Sequence, residues 1–192
     1  MIKVNRPVVA IAGYAGAGKS TASRYFKEFG SKTFSFAAPI KEILSRVYDI
    51  PIEIFSDPVQ KLVPHENLNG LTPRRAMQLI GTEGFRNLID VDTWTKCFER
   101  DAAKFIIQCP EIQLVVVDDL RFLTEKSCID RHQSTAIYIN NPKVVQQYNH
   151  QSEAELEQIR CMPDVITINN DGTFDQLFAR LAEIPLFGLQ KI

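Results

Sequence analysis

The order of hydrophobic and polar positions divides the chain into alternating strand and helix segments. Residues 7–12 form a short apolar run that predicts a buried strand, and residues 21–29 carry apolar side chains at helical spacing. Residues 112–117 give the strongest strand signal, because they are apolar and β-branched, as in a central parallel strand buried on both faces. Shorter patterns predict strands at 32–36, 135–139 and 165–168. This alternation predicts an α/β fold with a five-stranded, mainly parallel sheet and helices on both faces.

The segments between the strands predict the helices. They are expected at residues 39–48, near 59–62, and at 72–88, 93–107 and 143–160. Thr72 and Pro73 are a favourable helix start, and Thr173 with Gln176 forms a capping box for a last helix. Two helices are each expected to bury one apolar face, formed by Ile40, Ile43, Leu44 and Val47 in the first and by Phe174, Leu177, Phe178 and Leu181 in the second.

A glycine-rich segment lies between the first strand and the first helix. Residues 13–20, GYAGAGKS, match the phosphate-binding pattern G-x-x-x-x-G-K-[ST] at every fixed position, and the flanking strand and helix argue against a chance match. The glycines let several backbone N–H groups converge on one anion, and the helix directs its positive dipole end to the same point. Lys19 would contact the β- and γ-phosphates, Ser20 would hold Mg²⁺, and Thr21 would lie beside the α-phosphate. A nucleoside triphosphate is therefore expected at Gly13, Ala15, Gly16, Ala17, Gly18, Lys19, Ser20 and Thr21.

Composition and charge argue against several classes of partner. The chain has 192 residues, 45% of them hydrophobic, and a formal net charge of −1, so no general attraction to nucleic acid or an anionic membrane is expected. No apolar run approaches the roughly 20 residues of a membrane span. The first residues lead straight into the phosphate loop, so we expect no signal peptide. The four cysteines form no C-x-x-C pair, which favours reduced, mostly buried thiols in a cytoplasmic protein.

Three polar groups of residues accompany the phosphate loop. The apolar run ends at Asp118 and Asp119, where a carboxylate would support Mg²⁺; the residues alone leave both open, because an apolar strand has no alternation to separate them. Residues 74–86 collect arginines with other polar side chains, and arginine forks suit an acceptor phosphate, although a solvated basic helix face is the alternative. Residues 150–153 are polar and precede a helix, so they are a candidate for part of a closing lid.

Five further motifs follow the loop. They are FAAPIKE at residues 36–42, R-x-x-x-Q-x-x-G-T-E-x-x-R at 74–86 with DTW at 92–94, DLRFLTE at 119–125, HQSE at 150–153 and NDGT at 170–173. In this order they resemble the bacteriophage deoxynucleoside monophosphate kinases over nearly the whole chain. One departure is FLTE at 122–125, where that family usually has F-P-N-E. The resemblance implies a P-loop NTPase three-layer sandwich over residues 1–192, with an acceptor-binding helical insert at about 49–108 and a lid-like segment at about 140–160.

The resemblance also implies an activity, which is transfer of the γ-phosphoryl group of ATP, with Mg²⁺, to a deoxynucleoside monophosphate. It favours Asp119 over Asp118 as the metal ligand beside Ser20, implies catalytic roles for Lys19, Arg86 and Arg121, and makes a homodimer plausible. Which bases are accepted stays open. The acceptor is expected to contact Phe36, Lys41, Arg74, Gln78, Thr82, Glu83, Arg86, Trp94, Arg121, His150, Ser152 and Glu153.

Other functions fit parts of the pattern. A P-loop kinase of another small acceptor, such as phosphomevalonate or dephospho-coenzyme A, would share the scaffold and differ in the acceptor pocket. A nucleotide-gated switch for guanine would carry [NT]-K-x-D, which the nearest strings, TKCF at 95–98 and NPK at 141–143, do not match. A nucleic-acid motor would need a basic stripe, and the sequence shows none.

Overall fold

Five parallel strands form the sheet around which the fold is built. The structure, a computed structural model, describes residues 4–144 and 150–191. The strands lie in the order β2-β3-β1-β4-β5, and every neighbouring pair is parallel, so all five carboxyl ends lie at one edge. The five-stranded parallel sheet expected from the sequence is therefore confirmed. The strands are β1 Val8–Ala12, β2 Ser31–Phe34, β3 Leu114–Leu120, β4 Ser134–Asn140 and β5 Val165–Asn169.

The chain divides into two compact units. The first runs to Ser35 and resumes at Phe98, and it contains the sheet; the second is Phe36–Cys97. The α-helices are α1 Lys19–Tyr25, α2 Ala38–Tyr48, α3 Pro73–Gln78, α4 Thr93–Gln108, α5 Leu123–Ile129, α6 Gln151–Arg160 and α7 Phe174–Ala182. A π-helix, Leu79–Ile89, continues α3, and short 3₁₀ turns lie at Phe26–Phe29, Ile52–Phe55, Gln60–Leu62 and Glu66–Leu68.

Helices cover both faces of the sheet in the first unit. Helices α1 and α7 contact each other and pack on one face through a buried apolar cluster. Helices α5 and α6 contact each other; α5 also contacts β4, and α6 contacts β1 and β5. Their buried side chains lie outside that cluster, so these two helices cover the opposite face of the sheet. The cluster includes Val9, Ile11, Ala22, Phe26, Leu114, Val116, Ile137, Ile139, Leu177 and Leu181.

Several predicted boundaries and faces are wrong. Strand β2 covers Ser31–Phe34 rather than residues 32–36, and β3 continues to Leu120, so both aspartates lie inside the strand. Helix α6 begins at Gln151 rather than at 143, and residues 145–149 of the predicted helix lie outside the described residues. Val47 and Phe174 are 67% and 71% exposed, because each lies near a helix end, beyond the part of the apolar face that is covered.

The second unit is built from short helices packed on α2 and α3. Thr72 caps α3 as predicted, since its hydroxyl accepts the N–H of Arg75 at 3.1 Å. Gly81 in the π-helix packs so closely on Ile40 of α2 that a Cβ there would lie 2.6 Å from Ile40 Cδ1. The close approach explains why a glycine occupies this turn of the π-helix.

Two phenylalanines test the assignment of the buried face. Phe26 is fully buried in the cluster, so Phe26→Ala is expected to lower the free energy of unfolding by about 3–5 kcal/mol. Phe174→Ala, at a position predicted to be buried but 71% exposed, is expected to change it by less than about 0.5 kcal/mol. Urea unfolding followed by circular dichroism measures both, and equal losses would contradict the packing described here.

Candidate functional site

The phosphate loop between β1 and α1 has a backbone that depends on its glycines. Gly13, Gly16 and Gly18 have φ angles of 141°, 82° and 103°, which side chains with a Cβ rarely adopt. A Cβ at Gly13 would lie 2.7 Å from the carbonyl oxygen of Ile139, and one at Gly18 would lie 2.2 Å from Nδ2 of Asn170. The loop is therefore fixed both by its own torsion angles and by close neighbours from β4 and from the turn after β5.

Lys19 lies across the loop that precedes it. Its Nζ donates to the carbonyl oxygens of Gly13 and Tyr14 at 2.8 and 2.9 Å, and the N–H of Ala17 donates to the same Tyr14 carbonyl at 3.1 Å. Ser20, in the first turn of α1, is exposed. The ammonium group is thus held at the loop by backbone carbonyls, which a phosphate group can replace as its partner.

Asn170 holds the loop from outside, a role that the sequence did not reveal. Its Nδ2 donates to the carbonyl oxygen of Ala17 at 2.8 Å, and its own N–H donates to the carbonyl oxygen of Asn140 at 2.7 Å. The N-D-G-T motif at residues 170–173 was the available signal, but a motif does not show that Asn170 contacts the phosphate loop.

A bulge lies at the two aspartates of β3. Ala10 pairs with Val117 and Ala12 pairs with Leu120, so β3 has one more residue than β1 across this step. Bulges of this kind redirect side chains and often lie beside active sites. Asp119 Oδ2 accepts a hydrogen bond from the hydroxyl of Ser35 at 2.6 Å, and Ser35 was not among the predicted site residues.

Arg121 follows the bulge and is held by two carboxylates. Its Nη1 donates to Glu153 Oε1 at 3.1 Å, and its backbone N–H donates to Glu125 Oε2 at 2.8 Å. Glu125 also accepts the N–H of Phe122 at 3.1 Å, so it closes the turn between β3 and α5. The side chain of Glu153 is 3% exposed and that of Arg121 is 24% exposed, so this ion pair is shielded from water on the glutamate side only.

The H-Q-S-E motif forms the start of α6. His150 is the N-cap, and its Nδ1 accepts the N–H of Ser152 at 3.2 Å. Ser152 and Glu153 are buried in the packed helix. The side chains of Ser152 and Glu153 are thus fixed by packing in this structure, while the predicted lid role and acceptor contacts of the motif stay predictions.

Most of the predicted acceptor residues lie in the second unit. Arg74 and Gln78 are half-buried on α3, while Thr82 and Arg86 are buried on the π-helix. Glu83, predicted as an acceptor contact, forms an ion pair with Arg75, and both are partly exposed. π-Helical turns are frequent at functional sites because they displace side chains from the positions an α-helix would give them.

The two aromatic residues among the expected acceptor contacts are buried. Phe36 is 2% exposed and Trp94 is 6% exposed. Trp94 Nε1 donates to the carbonyl oxygen of Gly81 at 2.8 Å, and its ring lies 5.2 Å from that of Phe85. Within this unit Trp94 therefore holds the π-helix, a contact that the motif does not indicate.

Lys41 lies in a cavity whose charge is unsuited to phosphate. Its Nζ donates to the Ser56 hydroxyl at 3.0 Å. The cavity, about 490 Å³, is also lined by three carboxylates, from Glu42, Glu53 and Asp57, against one ammonium group. Because like charges repel, this lining argues against a direct contact between Lys41 and an acceptor phosphate here.

A second cluster of ionisable side chains lies between α4 and α5. Donor atoms of Glu99, Cys128 and His132 all lie within 4.8 Å of one another. Arg131 Nη2 binds Glu99 Oε1 at 2.9 Å, and His132 Nε2 is 3.3 Å from the same oxygen. Such donors can bind zinc, but the guanidinium group already contacts the carboxylate and would repel a divalent cation. We interpret the cluster as a structural ion network.

The cysteines are free thiols in this structure, and only Cys128 is buried, so the prediction of mostly buried thiols is wrong. The thiol of Cys128 lies 3.5 Å from Glu99 Oε1; Glu99 and His132 are buried beside it, whereas Arg131 is exposed. Among residues 4–144 and 150–191, no helix combines the length and apolar character needed to cross a bilayer.

A comparison with protein families assigns this chain to one family. The phosphate loop, its lysine and the parallel sheet are those of a P-loop nucleotide-binding protein. A family model described as deoxynucleotide monophosphate kinase matches residues 52–181, which is more than half of the chain. The chain belongs to the deoxynucleotide monophosphate kinase family, and is an ATP-dependent kinase that acts on a nucleotide. The resemblance seen in the sequence is thereby confirmed.

One viral protein and two solved structures are similar over most of the chain. The "Putative deoxynucleotide monophosphate kinase" of Acanthamoeba polyphaga mimivirus is 27% identical over 183 residues, covering 91% of this chain and 93% of that protein. The Thermus thermophilus protein TT1252 is 19% identical with a TM-score of 0.47, covering 94% and 98% of the two chains. A sugar kinase from Janibacter sp. HTCC2649 is 16% identical with a TM-score of 0.43, covering 91% of each chain. With TM-scores below 0.5, these two structures do not support an assignment of function.

The cysteine thiols offer a test of the burial of Cys128. Burial, together with the nearby Glu99 carboxylate, raises the pKa of the Cys128 thiol to about 12, so at pH 8 this buried cysteine stays protonated. Cys161 is exposed. In the native protein at pH 8 a thiol reagent is expected to label Cys161 within minutes and Cys128 only after unfolding. Peptide mass spectrometry distinguishes the two, and rapid native labelling of Cys128 would contradict its burial.

Proposed function

We propose that this protein transfers the γ-phosphoryl group of ATP to a deoxynucleoside monophosphate, giving ADP and the deoxynucleoside diphosphate. The observation that supports it most strongly is the phosphate loop, with Lys19 held at its mouth by the Gly13 and Tyr14 carbonyls. Membership of the deoxynucleotide monophosphate kinase family supports the choice of acceptor.

The proposed chemistry needs no strong base. An oxygen of the acceptor phosphate attacks the γ-phosphorus, and the bond from the γ-phosphorus to the β,γ-bridging oxygen breaks in line with it. Lys19 neutralises charge on the β- and γ-oxygens, and Arg74, Arg86 and Arg121 bind phosphate oxygens through their guanidinium forks. Catalysis then comes mainly from positioning and charge neutralisation.

A magnesium ion fits the oxygen donors that the chain offers. Hydroxyl and carboxylate oxygens are the hard ligands that Mg²⁺ prefers, and the exposed Ser20 hydroxyl and the Asp119 carboxylate supply them. The Ser35 hydroxyl, bound to Asp119 Oδ2, orients that carboxylate. When bound, the ion would neutralise negative charge on the phosphates. We propose Asp119 rather than Asp118 as the ligand.

The assignment of Lys19 predicts a large kinetic effect. Lys19→Ala is expected to lower kcat/KM by about 100- to 1,000-fold, because the charge that develops on the phosphoryl oxygens loses its partner. Lys27→Ala, at an exposed lysine in the 3₁₀ turn that follows α1, serves as the control and is expected to keep the activity. Release of ADP is measured with the four deoxynucleoside monophosphates, their ribonucleotides, phosphomevalonate and dephospho-coenzyme A.

Each outcome of that assay decides between the candidate functions. Turnover with phosphomevalonate or dephospho-coenzyme A but with no deoxynucleotide would overturn the acceptor class. A folded Lys19→Ala variant that turned over at nearly the normal rate would refute the role of the lysine.

The arginines of α3 offer a matched pair for the acceptor site. Arg74→Ala is expected to raise the KM for the monophosphate by about 10- to 100-fold, because a charged hydrogen bond to phosphate is lost, with little change in the KM for ATP. Arg75→Ala breaks only the ion pair with Glu83, which is partly exposed, and is expected to leave both constants nearly unchanged. Steady-state kinetics with each substrate varied in turn measure the difference, and equal effects of the two variants would remove Arg74 from the acceptor site.

A further inference from the structure

Helix α6 presents three glutamates to the loops beside it. Glu153 Oε1 accepts from Arg121 Nη1 at 3.1 Å, and Glu155 Oε2 accepts the N–H of Leu123 at 2.8 Å. Glu157 Oε1 accepts the hydroxyl of Tyr14, in the phosphate loop, at 2.5 Å. One helix thus contacts both the phosphate loop and the segment that follows β3.

The positions of these carboxylates are set by the packing of the helix. Glu153 and Glu157 are four residues apart, so they project from the same side of α6. Leu156 and Ile159 are fully buried, and α6 contacts β1 and β5. The His150 side chain caps the first turn. The helix therefore offers its carboxylates from a rigid support.

Tyr14 joins this helix to the lysine of the phosphate loop. Its hydroxyl donates to Glu157, and its carbonyl oxygen accepts the Lys19 ammonium group at 2.9 Å. Burial raises the pKa of Tyr14, and the Glu157 carboxylate raises it further, so the hydroxyl keeps its proton at neutral pH and remains a donor. Tyr14 occupies a position at which the phosphate-binding pattern accepts any residue, so the pattern itself does not require its side chain.

We propose that Tyr14 and Glu157 are positioning residues, which hold the phosphate loop and Lys19 in the conformation that binds the triphosphate. The proposal rests on the nucleotide site of the proposed function. The hydroxyl–carboxylate bond limits the freedom of the first half of the loop, where Gly13 and Gly16 allow the backbone to move. Because Glu153 on the same face holds Arg121, α6 fixes the loop and that arginine to one support.

The test uses the full-length protein and a non-hydrolysable ATP analogue with Mg²⁺. Tyr14→Phe removes only the hydroxyl, and Glu157→Met removes the acceptor while keeping the length of the side chain. Each is expected to weaken binding of the analogue, measured by calorimetry, and to raise the KM for ATP, both by about three- to tenfold, with kcat little changed. The double variant is expected to bind no more weakly than Glu157→Met, because each substitution already removes the bond between Tyr14 and Glu157. Glu157→Met also removes a partly exposed ion pair with Arg160 at 3.5 Å, which is expected to contribute little.

Two further variants separate positioning from general stability. Glu157→Gln keeps an oxygen that accepts the tyrosine hydroxyl and is expected to recover most of the affinity. Gln158→Ala, at an exposed neighbour on the same helix, is expected to have no effect. Thermal melting of every variant shows whether the fold is retained. If Glu157→Met does not fold, the analogue affinities of Tyr14→Phe and Glu157→Gln test the positioning role.

The outcomes separate this proposal from the proposed function. Unchanged analogue affinity in Tyr14→Phe, or additive losses in the double variant, would overturn the positioning role. A wild-type protein that binds the analogue but phosphorylates no deoxynucleotide would overturn the acceptor assignment. In that case the binding measurements would still decide whether Tyr14 and Glu157 position the loop.

Discussion

The parallel arrangement of the strands is the constraint on which the candidate nucleotide site depends. Because every neighbouring pair of strands is parallel, the segments that follow β1, β3 and β5 leave the sheet at the same edge. The phosphate loop, Asp119 with Arg121, and Asn170 are brought together there from distant parts of the sequence. The contact from Asn170 to the carbonyl oxygen of Ala17 joins residues 153 positions apart in the chain. Ligands of open α/β sheets bind at this edge for the same reason.

Hydrogen bonds from side chains to backbone then fix the irregular segments at that edge. Glu125 accepts two N–H groups after β3, and Asn170 satisfies a carbonyl group in the phosphate loop. Loops cannot satisfy their own polar groups as helices and strands do, so such bonds replace the missing backbone partners. The result is a site whose shape depends on residues that need not contact a nucleotide.

In the second unit, too, side-chain contacts hold an irregular segment of backbone in place. Its π-helix is held by the Trp94 indole, which donates to Gly81, and by the close approach of Gly81 to Ile40. The motif led us to expect Thr82, Glu83 and Trp94 together as acceptor contacts. In the structure, Trp94 donates to a backbone carbonyl group and Glu83 pairs with Arg75. A motif shows that a group of residues belongs together, but it does not show which of them contact a substrate.

The sequence by itself determined the parallel sheet, the phosphate loop, the caps at Thr72 and Thr173, and the family, since each depends on local patterns or on motifs whose order is visible in the chain. From the residues alone it could not choose between Asp118 and Asp119, because the strand is apolar and has a bulge at the two aspartates; only the resemblance to the family favoured Asp119. It also missed Ser35, Asn170 and the bond from Tyr14 to Glu157, and it placed Phe174 in the core. These depended on the tertiary structure, because hydrogen bonds between residues far apart in sequence and the covered extent of a helix face are set only when the elements pack.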